Sequence, residues 1–292
     1  MLQNPVSAHA DAATLHIYCP LDEQHNGSDP ANVASHLATA FYRADKNKKT
    51  VANEIPSHLR VWVTEMGIYP GGPLLWTWLE ALFYVLMDIL LPQTPRIDIL
   101  TPYCLVCGDP TASGFITSTD NAVVPPKDAG KVPWSLSLRG HAQSMVFKAA
   151  RGAGVMTPLE FSGNRPLDPK VPGSKTLVGW LFGHQSSKSS ATTSIIGDRT
   201  DINAHTTTST GNTTTTMLVV NAGGASVEVK FSDFLECDTD TGCRCTGSYP
   251  KRTRDITRSG MAVTDLGSMD GDCARNNILL IPPYGIVTVV KV

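Results

Sequence analysis

The stretch from Leu59 to Leu100 constrains the fold most, because it reads strand, helix, strand without a break. Leu59-Arg-Val-Trp-Val-Thr64 is β-branched and aromatic, the composition of a strand. Leu74 to Leu91 is an apolar run between Gly71-Gly-Pro73 and Pro92-Gln-Thr-Pro95, interrupted by Glu80 and Asp88. A buried helix explains it better than a membrane span, where each central carboxylate costs about 2.5–3.5 kcal/mol. Arg96 to Leu100 is the next strand.

The same alternation extends in both directions. Ala13 to Cys19 is a short apolar run that ends at Pro20, a strand signal. Pro30 opens a helix through Ala31 to Asn47, with Ser28 or Asp29 placed to cap it and Val33, Leu37, Ala40 and Phe41 at helical spacing. Ser137 to Gly152 reads as a third helix that stops at glycines. Three βα units in series predict a parallel sheet with right-handed crossovers. Three strands cannot close a barrel, and a full one takes about 250 residues. The units end near Gly154, so they form a small open sheet or a piece of something larger.

From Val155 the pattern changes to short strands separated by Gly, Pro, Ser and Thr. Candidates are Leu177–Phe182, Met217–Asn221, Ser226–Phe231, Ile278–Ile281 and Gly285–Val292. They predict an antiparallel β-sandwich, with the Ser/Thr-rich stretch 186–216 as a solvated loop. The chain therefore divides into an α/β part, 1–154, and an all-β part, 155–292.

The net charge of −2 gives no electrostatic reason to expect nucleic acid or an anionic membrane as partner, and it suits a neutral ligand such as a sugar. The start of the sequence has neither the basic nor the apolar region of a secretory signal. Of the seven cysteines, Cys237, Cys243, Cys245 and Cys273 crowd one insert. Their spacing matches no usual zinc pattern, so mutual disulfides in an oxidising compartment are expected, and no metal. The sequons Asn26-Gly-Ser and Asn212-Thr-Thr are compatible with secretion.

Glu65 is the sharpest chemical signal. Period-2 alternation in LRVWVTE puts Val61, Val63 and Glu65 on one face and Trp62 and Thr64 on the other. A carboxylate on an apolar face needs partners or a function. On spacing alone, a catalytic glutamate and a salt-bridged or capping glutamate at a strand–loop junction are both open.

Val61-Trp-Val-Thr-Glu65-Met-Gly-Ile-Tyr69, followed by the tryptophan-bearing helix, resembles the seventh strand and helix of clan-A glycoside hydrolases, the superfamily of arabinofuranosidases, xylosidases and heparanase-like glucuronidases. His16-Ile-Tyr18 is similar to the His-x-Tyr of their sixth strand, Pro95-Arg-Ile-Asp98 to the start of their eighth, and Leu280 to Val289 to the last strand of their appended β-domain. The order of these motifs carries the resemblance. It implies the last three βα units of a (β/α)8 barrel followed by a β-sandwich, with hydrolysis of O-glycosidic bonds in a polysaccharide or oligosaccharide and no cofactor. It implies Glu65 as the retaining nucleophile, Tyr18 holding it ionised, and His16 facing the sugar or the carboxylates, although a plain strand-end histidine explains His16 equally. Tyr69, Trp76 and Tyr103 are the implied sugar-contacting residues, with helix packing the competing role for Trp76. The acid/base residue of such enzymes ends the fourth strand, and no equivalent is found; Asn53-Glu54 reads as loop. The expectation is therefore a truncated chain, weak or inactive by itself, that needs the missing barrel half or a partner chain and whose parent protein is secreted. The alternative is a non-catalytic carbohydrate-binding or vestigial β-domain protein.

Overall fold

The computed structural model describes residues 10–19, 30–68, 74–102, 104–105, 114–118, 134–184, 215–230, 243–272 and 278–291. The fold is mixed α/β with several sheets. Strand β1 (Ala12–Cys19), helix α1 (Pro30–Asn53), strand β2 (Arg60–Ile68), helix α2 (Trp78–Leu90) and strand β3 (Ile97–Leu100) follow in order. The three strands form one sheet, β1-β2-β3, with both pairs parallel. The sheet is parallel, as the βα order predicts, and the Glu65 strand is at its centre. The caps expected at Ser28 or Asp29 lie outside the described residues.

Helix α2 begins four residues later than the apolar run suggests. Trp76 has φ of 63°, a left-handed conformation through which a helix does not continue. Thr77 then caps, its side chain accepting the Glu80 N–H at 3.2 Å, while Glu80 accepts the Trp76 N–H at 2.7 Å. The two carboxylates that interrupt the apolar run are both buried. Every residue of α2 from Trp78 to Ile89 is buried, which is how a helix apolar on all sides is accommodated in a globular core. No helix among the described residues is long and apolar enough to cross a membrane.

Arg96 fixes the start of β3. Its guanidinium donates to the carbonyls of Val51, Pro56 (2.7 Å) and Leu59 (3.2 Å), so one cation collects acceptors at the end of α1 and in the turn that follows. A two-stranded antiparallel ladder, β4 (Ile116–Ser118) with β5 (Trp134–Leu136), precedes helix α3 (Leu138–Ala150).

The remaining strands are β6 (Ala153–Pro158), β7 (Leu177–His184), β8 (Thr215–Asn221), β9 (Val227–Lys230), β10 (Cys243–Pro250), β11 (Leu266–Asp272), β12 (Ile278–Ile281) and β13 (Ile286–Lys291). Six form an antiparallel sheet in the order β11-β10-β13-β8-β7-β6, and β9 pairs with β12. Met217 and Val219 on β8 join Val287, Val289, Leu279 and Ile281 in one apolar cluster. Leu218 and Val220, their neighbours on the opposite face, join Trp180, Phe182 and residues of α2 and α3 in another. With both faces covered, β8 is apolar at consecutive positions instead of alternating. The Trp78 indole crosses this layer boundary and donates to the Tyr284 carbonyl at 2.7 Å.

Strands β6, β10 and β11 were not legible in the sequence. Cys243 and Cys245 are disulfide-bonded, while Cys237 and Cys273 and most of the Ser/Thr-rich stretch lie outside the described residues.

Candidate active site

Parallel pairing sets Glu65 opposite His16, and a register shift decides which way it points. Leu15 pairs with Val63 but His16 pairs with Glu65, so Thr64 is an extra residue on β2. Such a bulge inverts the alternation beyond it. Val61 and Val63 are buried before the bulge, and Met66 and Ile68 after it. Val63, Met66 and Ile68 share one apolar cluster with residues of α1 and α2. Glu65 therefore does not share the face of Val61 and Val63, as strict period-2 counting predicts; it lies on the open face with the exposed Trp62. Its side chain is 35% exposed, so the carboxylate is reachable from solvent.

His16 and Tyr18 alternate with the buried Ile17 and Cys19 and so stand on that same open face. The Tyr18 hydroxyl donates to Glu65 Oε2, and His16 Nδ1 lies 3.4 Å from the same oxygen. Three residues foreseen from the sequence are thus brought together by strand pairing. A hydroxyl donor on a carboxylate oxygen fixes its orientation.

A cavity of about 520 Å³ opens beside Glu65, lined by Thr64, Thr101, Pro102, Phe115, Arg139 and Phe147 among others. Its volume falls in the range of small-molecule sites. Glu65 is the one carboxylate among its described lining residues. The cavity-lining Phe115, Arg139 and Phe147 were not foreseen. They come from β4's approach and from α3, and reach the end of the sheet only through the packing of α3 against α2. The Phe115 and Phe147 rings stack with centroids 6.2 Å apart.

Arg139 is buried, and its guanidinium carbon lies 3.8 Å from the Tyr84 ring centroid. Its Nε donates to Gln143 Oε1 at 3.0 Å, and Gln143 Nε2 donates to Asp88 Oδ2 at 2.8 Å. Tyr84 in turn accepts the Ile68 N–H at 3.4 Å, so the network ends on the strand that carries Glu65. Burial pushes the Tyr84 phenol up to about 12 and the Asp88 carboxyl up to about 7; the Gln143 hydrogen bond and Arg139 oppose the second shift.

Trp76 sits half-buried in the turn before α2 and is not among the described residues that line the cavity beside Glu65. Tyr69 and Tyr103 lie outside the described residues. Glu54 follows the last turn of α1, where Thr50 Oγ1 approaches its carboxylate at 3.5 Å, in keeping with its reading as loop. Cys104 is disulfide-bonded. No group of three or more potential metal ligands occurs among the described residues.

No family model and no curated protein matches the chain. Solved structures do match it in fold. A family 51 arabinofuranosidase from Xanthomonas axonopodis pv. citri aligns with a TM-score of 0.59 at 12% identity, covering 97% of this chain and 53% of that one. A family 51 α-L-arabinofuranosidase from Bifidobacterium longum gives a TM-score of 0.60 at 13% identity, covering 96% and 53%. A 4-O-α-L-rhamnosyl-β-D-glucuronidase from Fusarium oxysporum 12S gives 0.53 at 9% identity, covering 99% and 55%. The likeness to clan-A glycoside hydrolases seen in the motif order thus extends to the fold of nearly the whole chain. The chain spans about half the length of each of these enzymes.

Proposed function

We propose that this chain carries the nucleophile half of a retaining glycoside hydrolase: the last three βα units of a (β/α)8 barrel and its appended β-sandwich. One observation carries the reading. The Glu65 carboxylate projects from the open face of a parallel sheet, oriented by Tyr18 and His16, into a cavity of substrate size. Glu65 attacks the anomeric carbon, a C–O bond forms to Oε, and the bond to the leaving oxygen breaks. That oxygen needs a proton from a second carboxylate about 5–5.5 Å away. The acid/base then comes from polypeptide equivalent to the half of the neighbouring enzymes that this chain does not span. Water resolves the glycosyl-enzyme and returns Glu65. The substrate is a polysaccharide or oligosaccharide, and the bonded cysteines fit a parent protein of the secretory pathway.

The test is a trapping experiment on the purified chain. A panel of dinitrophenyl 2-deoxy-2-fluoroglycosides, arabinofuranosyl and glucuronyl among them, is incubated with the protein, and its mass is measured. Dinitrophenolate leaves without protonation, so one glycosyl unit is expected on the Glu65 peptide and none on Glu65→Gln. Unmodified dinitrophenyl glycosides should turn over only in trace, since general acid catalysis commonly supplies about 10²–10⁴-fold. Labelling at another residue would overturn the nucleophile assignment. Robust turnover of a polysaccharide would show that another carboxylate, such as Glu54 or Asp109, completes the site.

A further inference from the structure

Although the chain is acidic overall, two segments are strongly basic: residues 43–49 of α1, where Lys49 pairs with Asp45 at 2.6 Å, and a second stretch near the C-terminus that is richer in arginine. Residues 251–258, Lys-Arg-Thr-Arg-Asp-Ile-Thr-Arg, hold four cations against the single Asp255, a local balance of +3 where the whole chain carries −2. Lys251, Arg252, Arg254 and Arg258 are all exposed. The segment is anchored all the same. Residues Thr253–Thr257 form a 3-10 turn whose Ile256 is 2% exposed and sits, with Met261, in the same apolar cluster as α2.

What sets the four cations apart is that they stand within eight residues of one another, three of them arginines, with no ion pair among the described residues. Lys49, Arg60, Lys175 and Arg244 each hold an aspartate or glutamate within 3.2 Å. None of the four in and beside the turn makes an ion pair among the described residues; Lys251 reaches only the Thr264 carbonyl, at 3.5 Å. The nearby Asp265 carboxylate is occupied by the Ala262 N–H at 3.0 Å. Four like charges in and beside one anchored turn, with no ion pair among the described residues, repel one another and are relieved by a polyanion.

We propose that this turn docks a polysaccharide bearing carboxylate or sulfate groups, which Lys251, Arg252, Arg254 and Arg258 bind. Arginine suits these groups because its planar fork pairs with two oxygens at once. Residues 250–265 contain no aromatic side chain, so the turn lacks the stacking surface that single-stranded nucleic acids use. The turn packs against α2, which lies on the face of the β1-β2-β3 sheet opposite Glu65. A polymer held there is tethered to the protein outside the cavity beside Glu65. The choice of a polysaccharide over other polyanions rests on the glycosidase reading, but docking is read by binding, without hydrolysis.

The test is affinity electrophoresis of the full chain in gels containing polygalacturonate, dextran sulfate, neutral dextran or single-stranded oligothymidylate. Retardation by at least one of the two anionic polysaccharides is expected, falling as salt shortens the Debye length from about 10 Å at 0.1 M to about 3 Å at 1 M. Replacing all four cations by glutamine should weaken it at least ten-fold. Replacing Lys46, Lys48 and Lys49 of α1 by glutamine, a comparable change in net charge, should leave it nearly unchanged. Equal losses in the two variants, retardation by neutral dextran, binding to oligothymidylate as tight as to the polysaccharides, or no retardation at all would each overturn the proposal.

Discussion

Asp88 makes the stability of this protein depend on pH in an unusual direction. Its carboxyl is buried on α2, with Oδ2 accepting from Gln143 and Oδ1 without a partner among the described residues, and burial raises it from 3.8 to about 7. The folded protein therefore binds a proton on Asp88 between these values while the unfolded chain has lost it, so stability falls as pH rises through that window. A shift of about three units corresponds to roughly 4 kcal/mol over the full window at 1.36 kcal/mol per unit, and about 2–3 kcal/mol of it falls between about pH 5 and pH 8. Asp88→Asn keeps the shape and the acceptor for Gln143 but cannot ionise. Urea unfolding at both pH values is the assay. On going to the higher pH, the wild type should lose about 2–3 kcal/mol more than Asp88→Asn, a midpoint difference on the order of 1 M at the urea slopes of globular domains. Taking the difference removes other titrations, including His141, whose lowered pKa, set by burial and then Lys148, acts with the opposite sign. Equal pH dependence in the two proteins would refute the claim that Asp88 is protonated in the core near neutrality.

Tyr18→Phe removes the hydroxyl donor to Glu65, and labelling by the dinitrophenyl fluoroglycosides should slow about ten-fold, matching a charge-assisted bond of about 1.5 kcal/mol; mass spectrometry against time reads it. Gly140→Ala puts a Cβ 1.9 Å from the Phe115 carbonyl oxygen, so α3 must move; thermal unfolding should show a loss of about 3 kcal/mol or more, and a neutral result would mean the α3–Phe115 contact is looser than described. Thr77→Ala deletes the α2 cap and should cost about 1 kcal/mol in urea unfolding, while Thr77→Ser should largely retain it.

The sequence by itself determined the elements whose composition admits one reading. LRVWVT has the β-branched residues of a strand, the Leu74–Leu91 run has the length and apolarity of a buried helix, and His16, Tyr18 and Glu65 follow from the motifs those elements carry. Parallel pairing of β1, β2 and β3 also follows, because helices separate the strands. It did not determine β10 and β11, whose CRCTGSYP and LGSMDGD are poor strand formers held in place by ladders to β13 and to each other. Nor did it determine the membership of the cavity, since Arg139 and Phe147 reach Glu65 only through packing between α2 and α3. The clearest case is the side on which Glu65 stands. Counting alternate residues groups it with Val61 and Val63, whereas the extra Thr64 on β2 turns it to the open face beside Tyr18. A bulge is a property of two paired strands and not of either alone, so only the tertiary structure could decide it.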